Sequence, residues 1–128
     1  MVRAVPWQAW PVSDVETLVD RWLSLPEVAD LLGVPVTRAR QLVAERQVLA
    51  VRRGENNALM VPADFVQDGR VLKGLQGTLI LLLDARFSDD EAMRWLFTGD
   101  DSLPGSPVDA LIANRGTEVK RRAQALGF

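Results

Sequence analysis

Over residues 24–53 the apolar positions form two helical stripes and then switch to an extended pattern. Ser24-Leu25-Pro26-Glu27 opens the first stripe as a capping box: the Ser24 hydroxyl can accept from the Glu27 backbone N–H while the Glu27 carboxylate reaches back. Pro26 stands in the first turn, where its missing N–H is not needed. Val28, Leu31 and Leu32 recur at helical spacing, with Ala29 beside them. Gly33 can take the left-handed conformation that ends a helix, and Pro35 blocks simple continuation. A second helix, expected over residues 36–46, gathers Val36, Ala39, Leu42 and Val43 on one face. A step of about 100° per residue puts Thr37, Gln41 and Ala44 at the centre of the opposite face, flanked by Arg38, Arg40 and Glu45. With small residues Ala29, Gly33 and Ala39 where they cross, the two form a helix-turn-helix.

Two adjacent amphipathic helices occur in many small proteins, so the residues that follow decide the reading. Residues 48–53 are rich in β-formers, Gly54-Glu55-Asn56-Asn57 is a dense turn signal, and residues 58–61 form a second apolar run closed by Pro62. That is a hairpin, the wing of a winged helix-turn-helix. Between residues 36 and 53 the charges are Arg38, Arg40, Arg46, Arg52 and Arg53 against Glu45 alone, in a chain of net charge −2. Positive charge is thus concentrated on the proposed reading surface. Thr37, Arg38 and Gln41 would face base edges in the major groove, Arg or Gln making bidentate contacts to guanine or adenine. Arg40, Arg52 and Arg53 would serve phosphates or, at the wing, the minor groove, and Arg46 completes the DNA-binding set.

At these residues a resemblance can be stated. Residues 25–34, the second helix, residues 49–53 and the closing Val61-Pro62 resemble the winged helix-turn-helix of excisionase and MerR-type DNA-binding domains. The whole chain is more similar still to a family of small actinobacterial winged-helix DNA-binding proteins with an extra helical C-terminal half. The resemblance implies a DNA-binding N-terminal half and no catalysis.

Upstream, Trp7 and Trp10 lie among prolines. Ser13-Asp14-Val15-Glu16 is another capping box, opening a short helix with Val15, Leu18, Val19 and Trp22 on its stripe. Residues 21–23 can alternatively form a strand that pairs with the wing, since a hairpin alone is marginally stable. After a helical turn over residues 63–66 and an Asp68-Gly69 turn, the character changes, which divides the chain into a winged helix-turn-helix domain, 1–69, and a helical domain packed on it, 70–128. The second comprises a buried leucine-rich helix over 78–86, a helix opened by the capping box Ser88-Asp89-Asp90-Glu91, and a loop over 99–106. A helix then runs from Pro107 through Asn114, Gly116 breaks it, and the last helix spans 117–126. The fold class is mainly α with a small β-hairpin wing, a winged helix-turn-helix followed by a C-terminal helical bundle. Residues 87–92, Trp95-Leu96, residues 105–111, Gly116 and Val119 look like the C-terminal domain of Xre/MbcA/ParS-type antitoxins. That domain binds a toxin and supports oligomerisation, which implies a protein partner through residues 75–126.

Composition narrows the chemistry. At 128 residues and 48% hydrophobic the chain can bury a core of ordinary size. There is no Cys and no His, so disulfides, thiolate metal sites and hydrolytic triads are excluded, and an enzyme is not expected. Asp84, Asp89, Asp90, Glu91, Asp100 and Asp101 have no metal-loop spacing, and some belong to a helix N-terminus where acids are favourable anyway. Gly69, Gly74 and Gly77 lack the Lys-Ser or Lys-Thr pair of a phosphate loop and read as caps and close-packing points. Trp22 and Trp95 read as core, while Trp7 and Trp10 are freer to stack on bases. No cofactor or metal is implied. The longest apolar run, residues 79–83, is too short to span a bilayer, and no segment has signal-peptide form, so a cytoplasmic protein is expected. The expected partner is double-stranded DNA, with a transcriptional regulator as the leading function and an antitoxin-like interaction module as its rival. Self-association as a homodimer is compatible with both.

Overall fold

The computed structural model describes residues 18–103 and 105–126. In chain order its elements are β1 (Trp22–Ser24), α1 (Leu25–Leu32), α2 (Val36–Ala44), β2 (Val51–Arg53) and β3 (Ala58–Pro62). A 3-10 turn (Ala63–Phe65) follows, then β4 (Val66–Gln67), β5 (Arg70–Val71), α3 (Leu75–Asp84), α4 (Asp89–Phe97), α5 (Pro107–Ile112) and α6 (Gly116–Ala125). Trp7, Trp10 and the capping box at Ser13 lie outside the described residues. Trp22 belongs to a strand and not to the stripe of an N-terminal helix, in agreement with the alternative strand reading.

The wing is a three-stranded antiparallel sheet in the order β1-β3-β2, with Leu23 opposite Val61 and Arg52 opposite Leu59. The third strand supplies the extra pairing that a lone hairpin lacks. β1 runs directly into α1. There the Ser24 Oγ accepts from the Glu27 N–H at 3.2 Å, and the Ser24 N–H donates to Glu27 Oε1 at 2.8 Å. Gly33 closes α1 at φ +70°, its N–H donating to the Asp30 carbonyl while Val34 N–H reaches Ala29. An added Cβ at Gly33 would meet nothing, so the backbone angle, not space, calls for glycine there.

Several boundaries differ from the sequence expectation. α2 stops at Ala44, not at residue 46, because Arg46 turns left-handed at φ +57°. Its N–H donates to Val43 and that of Gln47 to Leu42, at 3.0 and 2.9 Å, the paired ending that usually carries glycine. Arg86 and Asn114 end α3 and α5 in the same way, at φ +72° and +64°. The helix expected to run through Asn114 therefore ends at Ile112, and Gly116 opens α6 rather than breaking a helix. α3 starts at Leu75, earlier than Thr78. Gly74 at φ +86° caps it, and Gly77 lies inside it, where a Cβ would come within 2.9 Å of Lys120 Cε on α6. The absent side chain leaves room for the end of the Lys120 side chain. The Asp68-Gly69 turn joins β4 and β5 as a second small hairpin that the apolar pattern did not reveal.

One continuous core serves both halves. Leu23, Val28, Ala39, Leu42, Val61 and Phe65 share it with Leu72, Leu75, Leu79, Leu82, Leu96, Val108 and Val119, all buried. The Phe65 ring stands 5.6 Å from that of Phe97, and the Leu72 N–H donates to the Phe65 carbonyl at 2.8 Å. Among the described residues no helix is long and apolar enough to cross a membrane.

Candidate nucleic-acid interface

The apolar face of α2 fixes which of its side chains remain outside. Ala39 and Leu42 are buried and Val36 and Val43 half-buried, which leaves Thr37, Arg40, Gln41 and Ala44 exposed and Arg38 half-buried at the edge. Ala39 is fully buried and Ala29 on α1 nearly so; small side chains at both positions let the two helices pack closely. The N-terminus of α2 is preceded by Pro35, and no side chain caps it. Its first N–H groups and the positive end of its dipole therefore stay open to an anion from outside.

Glu45 has a part that counting charges did not show. It accepts from Gln41 Nε2 at 2.8 Å and from Gln47 Nε2 at 2.9 Å, and it lies 3.9 Å from Arg38 Nη1. Two side chains assigned to base reading are thus restrained by one carboxylate at the end of the same helix. Arg40 forms no ion pair among the described residues and projects from the same exposed side.

The wing arginines part company. Arg52 is exposed, and its Nη1 donates to the Asn57 carbonyl at 2.9 Å, bracing the turn in which Gly54 and Asn57 are left-handed. Arg53 is half-buried with its guanidinium 4.7 Å from the centre of the Trp22 ring, a cation–π contact between β2 and β1. Arg46 lies beyond the end of α2: its Nε and Nη2 approach Asp89 Oδ1 and Oδ2 at 3.1 and 3.4 Å. The structure so gathers Thr37, Arg38, Arg40 and Gln41 on one helix and places Arg52 and Arg53 on the adjoining sheet, while Arg46 faces α4.

Acidic groups collect elsewhere. Asp20, Asp64 and Asp109 line a groove of about 260 Å³ between the 3-10 turn and α5. Burial pushes the Asp64 carboxyl above its ordinary value, and the charges of Asp109 and Asp20 push it the same way. Among the described residues no cluster of His, Cys, Asp or Glu is arranged to hold a metal ion.

A second helix with an uncapped N-terminus, a three-stranded wing and a helical C-terminal half define a winged helix-turn-helix protein of an extended kind. Residues 11–66 match the family model of the winged helix-turn-helix domain of DNA-binding protein Rv2175c, and residues 72–127 match the Rv2175c C-terminal domain of unknown function. DNA-binding protein Rv2175c of Mycobacterium tuberculosis is 44% identical over 117 residues, which cover 81% of this chain and 79% of that protein. The NMR structure of Rv2175c superposes with a TM-score of 0.75 at 41% identity, covering 84% of this chain and 82% of that one. The chain belongs to the Rv2175c family, which is not a family of enzymes.

Proposed function

We propose that this protein binds double-stranded DNA in the cytoplasm, reads its sequence and acts as a transcriptional regulator. The observation that carries the reading is the exposed basic face of α2, with Arg40 unpaired among the described residues and an N-terminus that no side chain caps. The related protein from Mycobacterium tuberculosis, named as DNA-binding, supports it. α2 enters the major groove in the manner of excisionase and MerR-type domains, with Thr37, Arg38 and Gln41 at base edges and Arg40 on phosphate. Arg52 meets phosphate or the minor groove from the wing. Arg53 can join it only by giving up its stack on Trp22, a contact worth about 0.5–1 kcal/mol at exposed sites and about 2 kcal/mol when desolvated.

The test is duplex binding across a salt series. Each phosphate contact contributes about −0.9 to the log–log slope, so three to five contacts give a slope of roughly −3 to −4.5. Absence of binding at low salt would refute the reading.

A second reading concerns the C-terminal half. Ile80, Ile112 and Leu126, all in the C-terminal half, are 52%, 43% and 39% exposed. Singly exposed apolar side chains are ordinary on a protein surface, and it is the resemblance of residues 75–126 to an antitoxin domain that suggests a partner protein or a second copy here. Sedimentation of the full chain and of an Ile80→Glu, Ile112→Glu variant tests self-association, which the substitutions should abolish.

A further inference from the structure

We infer that Asp89 holds Arg46 off the DNA, taking the place on its guanidinium that a phosphate would occupy, so that α2 meets a duplex through its N-terminal turns and the wing alone. The inference rests on the DNA-binding reading above. Two parallel contacts of 3.1 and 3.4 Å join the Arg46 Nε and Nη2 to the two Asp89 oxygens, the same fork that arginine offers to phosphate. The backbone at each end of the pair is fixed. Arg46 leaves the chain from a left-handed residue at φ +57°, fixed by the paired hydrogen bonds that close α2. Asp89 sits in the first turn of α4, where the Ser88 N–H donates to Glu91 Oε1 at 2.7 Å and the Glu91 N–H to Ser88 Oγ at 3.1 Å. The positive end of that helix favours a carboxylate there.

The surroundings act in the same direction. A groove of about 590 Å³ lies beside the pair, lined by Arg46, Leu83, Phe87, Ser88, Asp89 and Asp90. Its acidic wall, continued by Glu91 in the same first turn, repels a phosphate approaching from that end. The side chains of Arg46 and Asp89 remain 52% and 46% exposed, so water screens the pair and its strength is modest. It sets how many phosphates the protein engages without locking the cation away permanently.

The experiment compares the salt dependence of duplex binding for four full-length proteins: the parent, Asp89→Asn, Arg46→Gly and the double variant. Glycine suits the left-handed position, so Arg46→Gly removes the cation and keeps the helix ending. Asp89→Asn should free Arg46 for one more phosphate, steepening the slope by about 0.9, which makes the loss of affinity over a fourfold rise in salt about 3.5 times larger. Arg46→Gly should leave the parent slope unchanged, and the double variant should return to it. A slope flattened by Arg46→Gly would show that Arg46 already touches DNA and would overturn the inference. So would an Asp89→Asn slope equal to the parent's, or a steepening that persists in the double variant. A parent that binds no duplex would defeat the DNA-binding reading itself, whereas the other failures leave that reading standing.

Discussion

The two helices of the helix-turn-helix are nearly equal in length and opposite in how they are held. α1 packs against α2, β1, β3, β4 and β5, whereas α2 makes its main contact with α1. α1 is closed by a capping box at Ser24 and by Gly33, and its first turn carries Glu27; α2 has no side-chain cap and no acid in its first turn. A helix surrounded on several sides with its terminal groups satisfied is a scaffold. One docked along a single face, with an open N-terminus and arginines outside, is displayed. The difference teaches that the pattern of apolar residues makes both helices, while caps and charges tell them apart.

The strongest way to break this comparison is to remove what α1 and the wing lean on. Deleting residues 70–128 uncovers Phe65, which is fully buried and packs against Phe97, together with neighbours in the shared core. A loss of several kcal/mol should leave the fragment unfolded, given that burial of one large apolar side chain is worth about 1.5–3 kcal/mol and whole domains only about 5–15. Far-UV circular dichroism and urea titration check this. A folded, DNA-competent fragment would show that α1 needs no support from the second half.

A smaller effect separates reading from anchoring on α2 and the wing. Gln41→Ala should cost about 1–3 kcal/mol on the preferred site and little on other sequences. Arg52→Ala should weaken all duplexes alike and lower the salt slope by about one. Competition titrations with specific and random duplexes distinguish them, and equal behaviour of the two variants would show that the faces are assigned wrongly.

The smallest effect sharpens the comparison at the start of α1. Ser24→Ala should cost about 1 kcal/mol through the lost cap, whereas α2 offers no equivalent side chain to remove. The backbone N–H of Ser24, and then its hydroxyl, hold the Glu27 carboxyl below its ordinary value. A lowered carboxyl stabilises the fold fully above the ordinary glutamate range, and that contribution fades as pH falls from there through the lowered value. In a carboxyl-carbon NMR titration, the Glu27 midpoint in Ser24→Ala should rise part of the way back, because the backbone donor at residue 24 remains. An unmoved midpoint would show that the hydroxyl has no part in the shift.

Much of the fold was legible because its signals are local. Ser24 with Glu27, Gly33, the Gly54-Asn57 turn and Ser88 with Glu91 each act within four residues, and each stands where the pattern put it. The capping box at Ser106 escaped notice because its reciprocal acceptor is Asp109 in place of the usual Glu or Gln. β4 and β5 hold two residues each, too few for alternation to show. The end of α2 was overshot because no glycine marks it. The candidate site was readable as a set of residue types, but not as a set of partners. Arg46 meets an acid 43 positions away, Arg53 lies over Trp22, and Glu45 restrains Arg38 and Gln41. The first two depend on how distant segments fold together, and the third on which rotamers the neighbouring side chains select.

The left-handed ends of three helices carry one more consequence, for engineering. Arg46, Arg86 and Asn114 stand where a residue without a side chain is most at ease, and L-residues with a Cβ pay a steric cost there of roughly 1–2 kcal/mol, less for asparagine. The chain thus holds a reserve of thermal tolerance that has not been used. Glycine at Arg86 or at Asn114 should raise the melting temperature.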